Sequence, residues 1–439
     1  MIKVDRGSTE LNGVPTSTTK GALVRRVVRV LLPTVLVAAG MITAACAPAP
    51  TPAPAPANTT PAIPACPTAG PAAAASGQDP SGPVGGTADD ADHAAEVVVV
   101  AVDDVGRPEI VTAEAHEVGE TTASLDADPD LRVVAVEADR PVSVGASRLA
   151  ASTGGDPYRS QQWALDDLGA EALWPASTGS GVDVAVVDTG VNGTHRDFAG
   201  RICSGVAYLG STGVAQTGQG TNDGNGHGTH VAGIAAAGTG DGFGVAGLAP
   251  SARIIPVRVL DAAGRGTSSD VARGITWAVD HGAEVVNLSL GGQYSMAVDT
   301  AVAYAESHGV LVVAAAGNDG PTGPANYPAA LDEALAVASY DQGDAISWFS
   351  THGTYVDITA PGSGILSTAK DGRWTYMSGT SMATPYVAGA AALVLSREPG
   401  LSPAQVRARL QGTADDTGPI GHDTTFGWGL LDPAGALDG

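Results

Sequence analysis

The chain has 439 residues, and 46 Asp and Glu against 22 Lys and Arg give it a formal net charge of −24. That balance argues against a nucleic-acid partner, since nothing here could neutralise a run of phosphates, and an acidic surface favours a soluble monomer. Hydrophobic residues at 44%, with many glycines and only 4% aromatics, describe a globular chain rather than a disordered one.

The first element is an export signal over 1–45. Lys20, Arg25, Arg26 and Arg29 precede an almost wholly apolar run, 30–45, that ends in small residues. A membrane anchor and a lipoprotein signal lipidated at Cys46 are alternative readings. All three place the rest of the chain outside the cytoplasm, and the expected location is extracellular. Residues 46–93 are Ala, Pro, Thr and Gly with few large apolar side chains, a linker that cannot build a core. Residues 94–146 form a small module, α+β or β-rich, with strands expected at 97–102, 110–115 and 131–137. Residues 103–108 leave room for a turn only. So small a module has little core of its own and needs a partner surface.

The large domain, 150–439, alternates strands and helices. Strands are expected at 182–187, 252–260, 284–290 and 310–316, and helices at 226–237, 268–282, 297–308 and 380–397. Continuous apolar strands between helices predict an α/β fold, a doubly wound and mainly parallel sheet with helices on both faces. Of the three cysteines, Cys46, Cys66 and Cys203, only the last falls in this domain, so no intramolecular disulfide framework is expected there.

Three motifs carry chemistry. Asp188-Thr189-Gly190 follows a strand directly, at the end where reactive groups collect in such sheets. His227-Gly228-Thr229-His230 opens a helix; no Glu lies between the histidines and no third ligand is apparent, which disfavours zinc. Gly379-Thr380-Ser381-Met382-Ala383-Thr384-Pro385 opens the longest helix. Each has a bland reading alone, as a turn former, a core histidine or an N-cap serine. Together they supply what a serine nucleophile needs: an imidazole to take its proton and a carboxylate to hold the imidazole. The order Asp, His, Ser excludes the α/β-hydrolases, in which Ser comes first.

These motifs, with Asp156-Pro157-Tyr158 near the start and Gly427-Trp428-Gly429 near the end, resemble the subtilisin-like serine proteases, thermitase-type members above all. The resemblance implies a serine endopeptidase acting on protein and peptide substrates, in which Asp188 orients, His227 is the general base and acid, and Ser381 is the nucleophile. It implies an oxyanion donor at Asn318, joined by the backbone N–H of Ser381. Ser289-Leu290-Gly291-Gly292 offers an edge to an extended peptide. A pocket beside it, walled by Leu290, Gly291, Ala315, Ala316 and Gly317, has room for a large apolar side chain. Residues 94–146 resemble the family's inhibitory propeptides, so the chain is expected to be a self-processing precursor. The resemblance also implies structural Ca²⁺ held by Asp156, Asp197, Asp241 and loop residues Gly238, Phe243 and Val245, hard oxygen ligands suited to that ion.

Overall fold

The computed structural model describes residues 96–144, 147–148, 158–210 and 213–439. The expected signal and linker segments, and with them the readings of Cys46, lie outside the described residues. No described helix is long and apolar enough to cross a membrane.

Eight strands make the central sheet. In spatial order they are Ile358–Pro361, Ala334–Tyr340, Leu311–Ala315, Val285–Leu288, Asp183–Asp188, Arg253–Arg258, Val206–Ala207 and Gln216–Thr217. Every neighbouring pair is parallel except the last. Alternate residues of Asp183–Asp188 serve opposite faces. Val184 and Val186 pack with helices His227–Ala236 and Thr380–Arg397, whereas Ala185 and Val187 pack with Ser268–Asp280 and Met296–Ser307. A strand covered on both faces must be apolar throughout, which is why it reads as an unbroken run. It is the first strand of the sheet in the chain yet sits centrally, so later strands add on both sides of it. The carboxyl ends of strands at such a reversal form a crevice.

The N-terminal module is a three-stranded antiparallel sheet in which Glu96–Val102 lies between Pro108–Glu114 and Arg132–Ala138. The link between its first two strands is a turn, in which Asp103 Oδ1 accepts from the N–H groups of Val105 and Arg107. A helix, Val118–Asp126, then follows where no element was expected, and it makes the module α+β. None of its residues is fully buried, and of the half-buried Val118, Thr121, Thr122 and Leu125 on its inner face two are polar, so its apolar stripe is weak. Val98, Val100 and Ile110 join the core cluster of helices Ser268–Asp280 and Met296–Ser307. The module thus completes its core on the large domain, as its size demands.

Cys203, buried in the same cluster, is disulfide-bonded. It is the large domain's one cysteine, so this bond is not internal to that domain, and its partner lies outside the described residues.

Candidate active site

Asp188 ends the central strand and His227 begins a helix, and the two are brought together by Gly228. A Cβ at that position would stand 2.2 Å from the Gly190 carbonyl and 3.1 Å from Asp188 Oδ1, so only glycine lets the helix approach. His227 Nδ1 lies 2.9 Å from both Asp188 oxygens, and the Thr189 N–H donates to Asp188 Oδ1 at 2.6 Å. A carboxylate at Nδ1 places the ring proton there and leaves Nε2 as an acceptor. Nε2 is buried and has no hydrogen-bond partner among the described residues. Ser381, only 2% exposed, is the second residue of Thr380–Arg397, a helix that packs against His227–Ala236. Its hydroxyl donates to the Ser289 carbonyl at 3.1 Å rather than to His227, and Ser289 Oγ donates back to the Ser381 carbonyl at 2.8 Å. Nucleophile and base often align only once substrate is bound.

Asn318 follows Gly317, whose φ of 112° lies in the left-handed region. Thr380 pins the amide, its N–H and hydroxyl donating to Asn318 Oδ1 at 2.9 and 3.0 Å. Nδ2 is then the donor end. The Ser381 N–H, in the first turn of its helix, has no intrahelical acceptor. Asp223 escaped the sequence reading. Its Oδ1 accepts from the Thr189 hydroxyl and the Gly226 N–H, and its Oδ2 from the Thr229 N–H and hydroxyl. It therefore ties the turn after Asp188 to the helix bearing His227. Its only signal was an acidic residue just ahead of a helix start.

A cavity of about 580 Å³ adjoins Ser381, with Leu290, Gly291, Ala315 and Gly317 among its walls. One expected wall residue is placed differently. Ala316 is fully buried and packs against Ala338 and Val356, while its carbonyl accepts from the Tyr355 hydroxyl. Alternation along an extended segment turns its side chain away from the cavity that Ala315 faces. Ser289, expected on the peptide edge, is fully buried, and its hydroxyl donates to the Ser381 carbonyl. Asn326, not foreseen, stands in the wall and donates to the Ala315 carbonyl at 2.7 Å. The Gly291–Gly292 edge is already occupied by Pro141–Ser143 of the module, antiparallel to it and to Arg265–Thr267 on the other side.

Two module carboxylates reach helix N-termini. Glu137 accepts from the Ser295 hydroxyl at 2.7 Å and the N–H groups of Met296 and Ala297 at 3.0 and 2.9 Å. Asp139, 8% exposed, accepts from the Ser268 hydroxyl and the Ser269 N–H, both at 3.0 Å, and from the Ser269 hydroxyl at 2.6 Å. Orphan helix N–H groups and the positive end of the dipole favour such carboxylates.

At the expected calcium loop, Asp197 is buried and its Oδ2 accepts from the Val245 N–H and Trp374 Nε1. Its Oδ1 has no partner among the described residues and lies against Gly244. Burial pushes its pKa up, and nearby Asp241 adds to the rise. The carbonyls of Gly238, Phe243 and Val245 accept no backbone hydrogen bond from the described residues. An orphaned carboxylate oxygen beside unused carbonyls fits a hard cation. No three acidic, His or Cys side chains cluster among the described residues, so such an ion relies on backbone oxygens. Asp156 lies outside the described residues.

Asp188 and His227 are thus paired at the end of the central strand, and Ser381 opens a helix packed against the one that carries His227. Residues 179–429 match the Subtilase family, and the chain belongs to that family as a subtilisin-like serine endopeptidase. It is 49% identical to thermitase of Thermoactinomyces vulgaris over 60% of this chain and 92% of that protein. It is 45% identical to Subtilisin Savinase of Lederbergia lenta over 59% of this chain and 91% of that protein. Among solved structures it resembles fervidolysin of Fervidobacterium pennivorans, described as a keratinolytic enzyme related to subtilisin. That match has a TM-score of 0.66 and 30% identity, over 79% of this chain and 61% of that one.

Proposed function

We propose that the enzyme cleaves peptide bonds through an acyl-enzyme, with Asp188, His227 and Ser381 as its triad. The observation that carries this is His227 held at Nδ1 by Asp188 while its buried Nε2 has no partner among the described residues. When substrate enters, the Ser381 hydroxyl swings from the Ser289 carbonyl to Nε2, loses its proton there and attacks the carbonyl carbon. Asn318 and the Ser381 N–H receive the oxyanion. His227 then protonates the leaving amine, and water hydrolyses the ester by the same route. The cavity beside Ser381 takes the side chain before the scissile bond, with preference for a large apolar one between Leu290, Gly291, Ala315 and Gly317. Asn326 adds one polar contact in that wall.

Residues 94–146 act as an intramolecular inhibitor. Their strand fills the substrate edge, and the likeness to fervidolysin covers more of the chain than residues 150–439 supply, which supports one assembly of both parts. The enzyme is exported behind segment 1–45, works outside the cell as a monomer and is trimmed from its linker and propeptide. Calcium, when bound, is held by Asp197, Asp241, the carbonyls of Gly238, Phe243 and Val245, and Asp156, and it cross-links the start of the domain to its loop.

The test is hydrolysis of an unfolded protein substrate by the processed enzyme. A serine-directed covalent inhibitor abolishes it and labels Ser381, and Ser381→Ala has no turnover. Hydrolysis that persists in Ser381→Ala, made in a host without other extracellular proteases, refutes the assignment.

A further inference from the structure

The helix that begins at Thr380 lacks one of its own hydrogen bonds beside the nucleophile. In an α-helix each N–H donates to the carbonyl four residues back, so the regular donor for the Ser381 carbonyl is residue 385. That residue is Pro385, inside Thr380–Arg397, and proline has no N–H. The Ser289 hydroxyl takes its place, donating to the Ser381 carbonyl at 2.8 Å. A hydroxyl has a single proton, and with that proton committed Ser289 Oγ can only accept from its other neighbour. Asn287 Nδ2 is that neighbour, donating at 2.9 Å. Asn287 and Ser289 are two apart on an extended segment, so their side chains share a face of the sheet. Both are fully buried.

From this chain of contacts we propose that Ser289 and Asn287 are positioning residues for the nucleophile, a reading that rests on Ser381 filling that role. Asn287 is the one polar residue of strand Val285–Leu288, and across the sheet it lies opposite Val186 on one side and Val313 on the other. Burying an amide at such a place costs stability unless it is hydrogen-bonded, and its Oδ1 has no partner among the described residues. An apolar side chain would suit the strand better, so the amide is explained by the bond it makes to Ser289. The backbone of Ser381 has two tasks at once. It must let Oγ cross from the Ser289 carbonyl to His227 Nε2, and it must keep its own N–H aimed at the oxyanion. A displacement of about 1 Å in such a group can cost about 10² in rate. The missing turn of hydrogen bonding leaves the Ser381 peptide free to tilt. Ser289, held by Asn287, fixes it to a strand of the central sheet instead.

Steady-state kinetics of the processed enzyme, with active sites titrated by a sulfonyl fluoride, tests this. Ser289→Ala keeps the main chain and removes only the hydroxyl. It should lower kcat at least about tenfold with KM within about twofold, and slow the sulfonylation of Ser381 by the same factor. Expressing kcat per titrated site keeps any unfolded fraction out of the comparison. Asn287→Ala should also lower kcat, and the double variant should be no slower than Ser289→Ala, because Asn287 acts through that hydroxyl. A residue that served the fold alone would shift Tm without this split between kcat and KM. Unchanged kcat in Ser289→Ala, or a loss that falls on KM, overturns the proposal. A double variant whose loss is the product of the two single losses overturns the link from Asn287 to Ser289. Peptide mapping of the labelled parent separates the two claims. A label on any residue other than Ser381 defeats the nucleophile assignment, whereas a label on Ser381 that forms equally fast in Ser289→Ala leaves that assignment standing and defeats only the positioning role.

Discussion

Asp139→Ala in the N-terminal module is the sharpest probe of how the module is held. Helices Ser268–Asp280 and Met296–Ser307 each have a cap of their own, but both are long. Thr267 Oγ1 accepts from the Asp270 N–H at 3.4 Å and Ser295 Oγ from the Val298 N–H at 3.4 Å. Asp139 supplies Ser268–Asp280 with a second acceptor, a nearly buried carboxylate taking three hydrogen bonds. In the free enzyme water satisfies those donors. In a complex with the alanine variant they stay buried and unpaired. A hydrogen-bonded charge at a helix N-terminus contributes about 2–3 kcal/mol, so inhibition should weaken about 30- to 150-fold. The assay is the inhibition constant of purified residues 94–145 against the processed enzyme, with circular dichroism to compare the secondary structure of the two inhibitors. Asp139→Asn, which keeps one acceptor oxygen, should fall between wild type and alanine. An alanine variant within about threefold of wild type, a difference under ~1 kcal/mol, would refute the capping argument.

Asn318→Ala should lower kcat by about 10²–10³ with KM little changed, the usual cost of losing one oxyanion donor; steady-state kinetics with unchanged kcat would place the donor elsewhere. A calcium site filled at about 100 times its Kd adds about 2.7 kcal/mol of stability. Chelator should therefore speed thermal inactivation and Asp241→Ala remove most of that difference, whereas equal rates in millimolar calcium and in chelator would sink the site. Burial raises Glu284 to about 7 from its ordinary 4.5. The native state then holds a proton that the unfolded chain releases, so stability falls as pH rises from about 4.5 to about 7. Compared between about pH 5 and about pH 8 in an inactive Ser381→Ala background, Glu284→Gln should lose less Tm than the parent. Equal losses would show that this carboxyl is not responsible.

The parallel sheet and the three chemical motifs were legible in the sequence because each is written in contiguous residues. A strand buried on both faces must be apolar along its length, as the core of Asp183–Asp188 is, and the serine motif Gly379-Thr380-Ser381 is a contiguous run at the start of an apolar helix. Thr380–Arg397 was readable to its ends for the same reason. Helix Val118–Asp126 was not, because none of its residues is fully buried and half of its inner face, Thr121 and Thr122, is polar. Other features depend on residues far apart in the chain. Ala316 faces away from the cavity because of the pleat at that point, and Asn326 enters the wall beside Gly291 only once two distant segments meet. Asp223 matters because the turn after Asp188 folds back onto it. The covered substrate edge at Gly291–Gly292 and the pairing of Ser147–Arg148 with Trp374–Ser378 are matters of register between strands more than a hundred residues apart. Local composition specifies which segments are strands, but which residue faces which is decided only when the sheet and its helices close around one core.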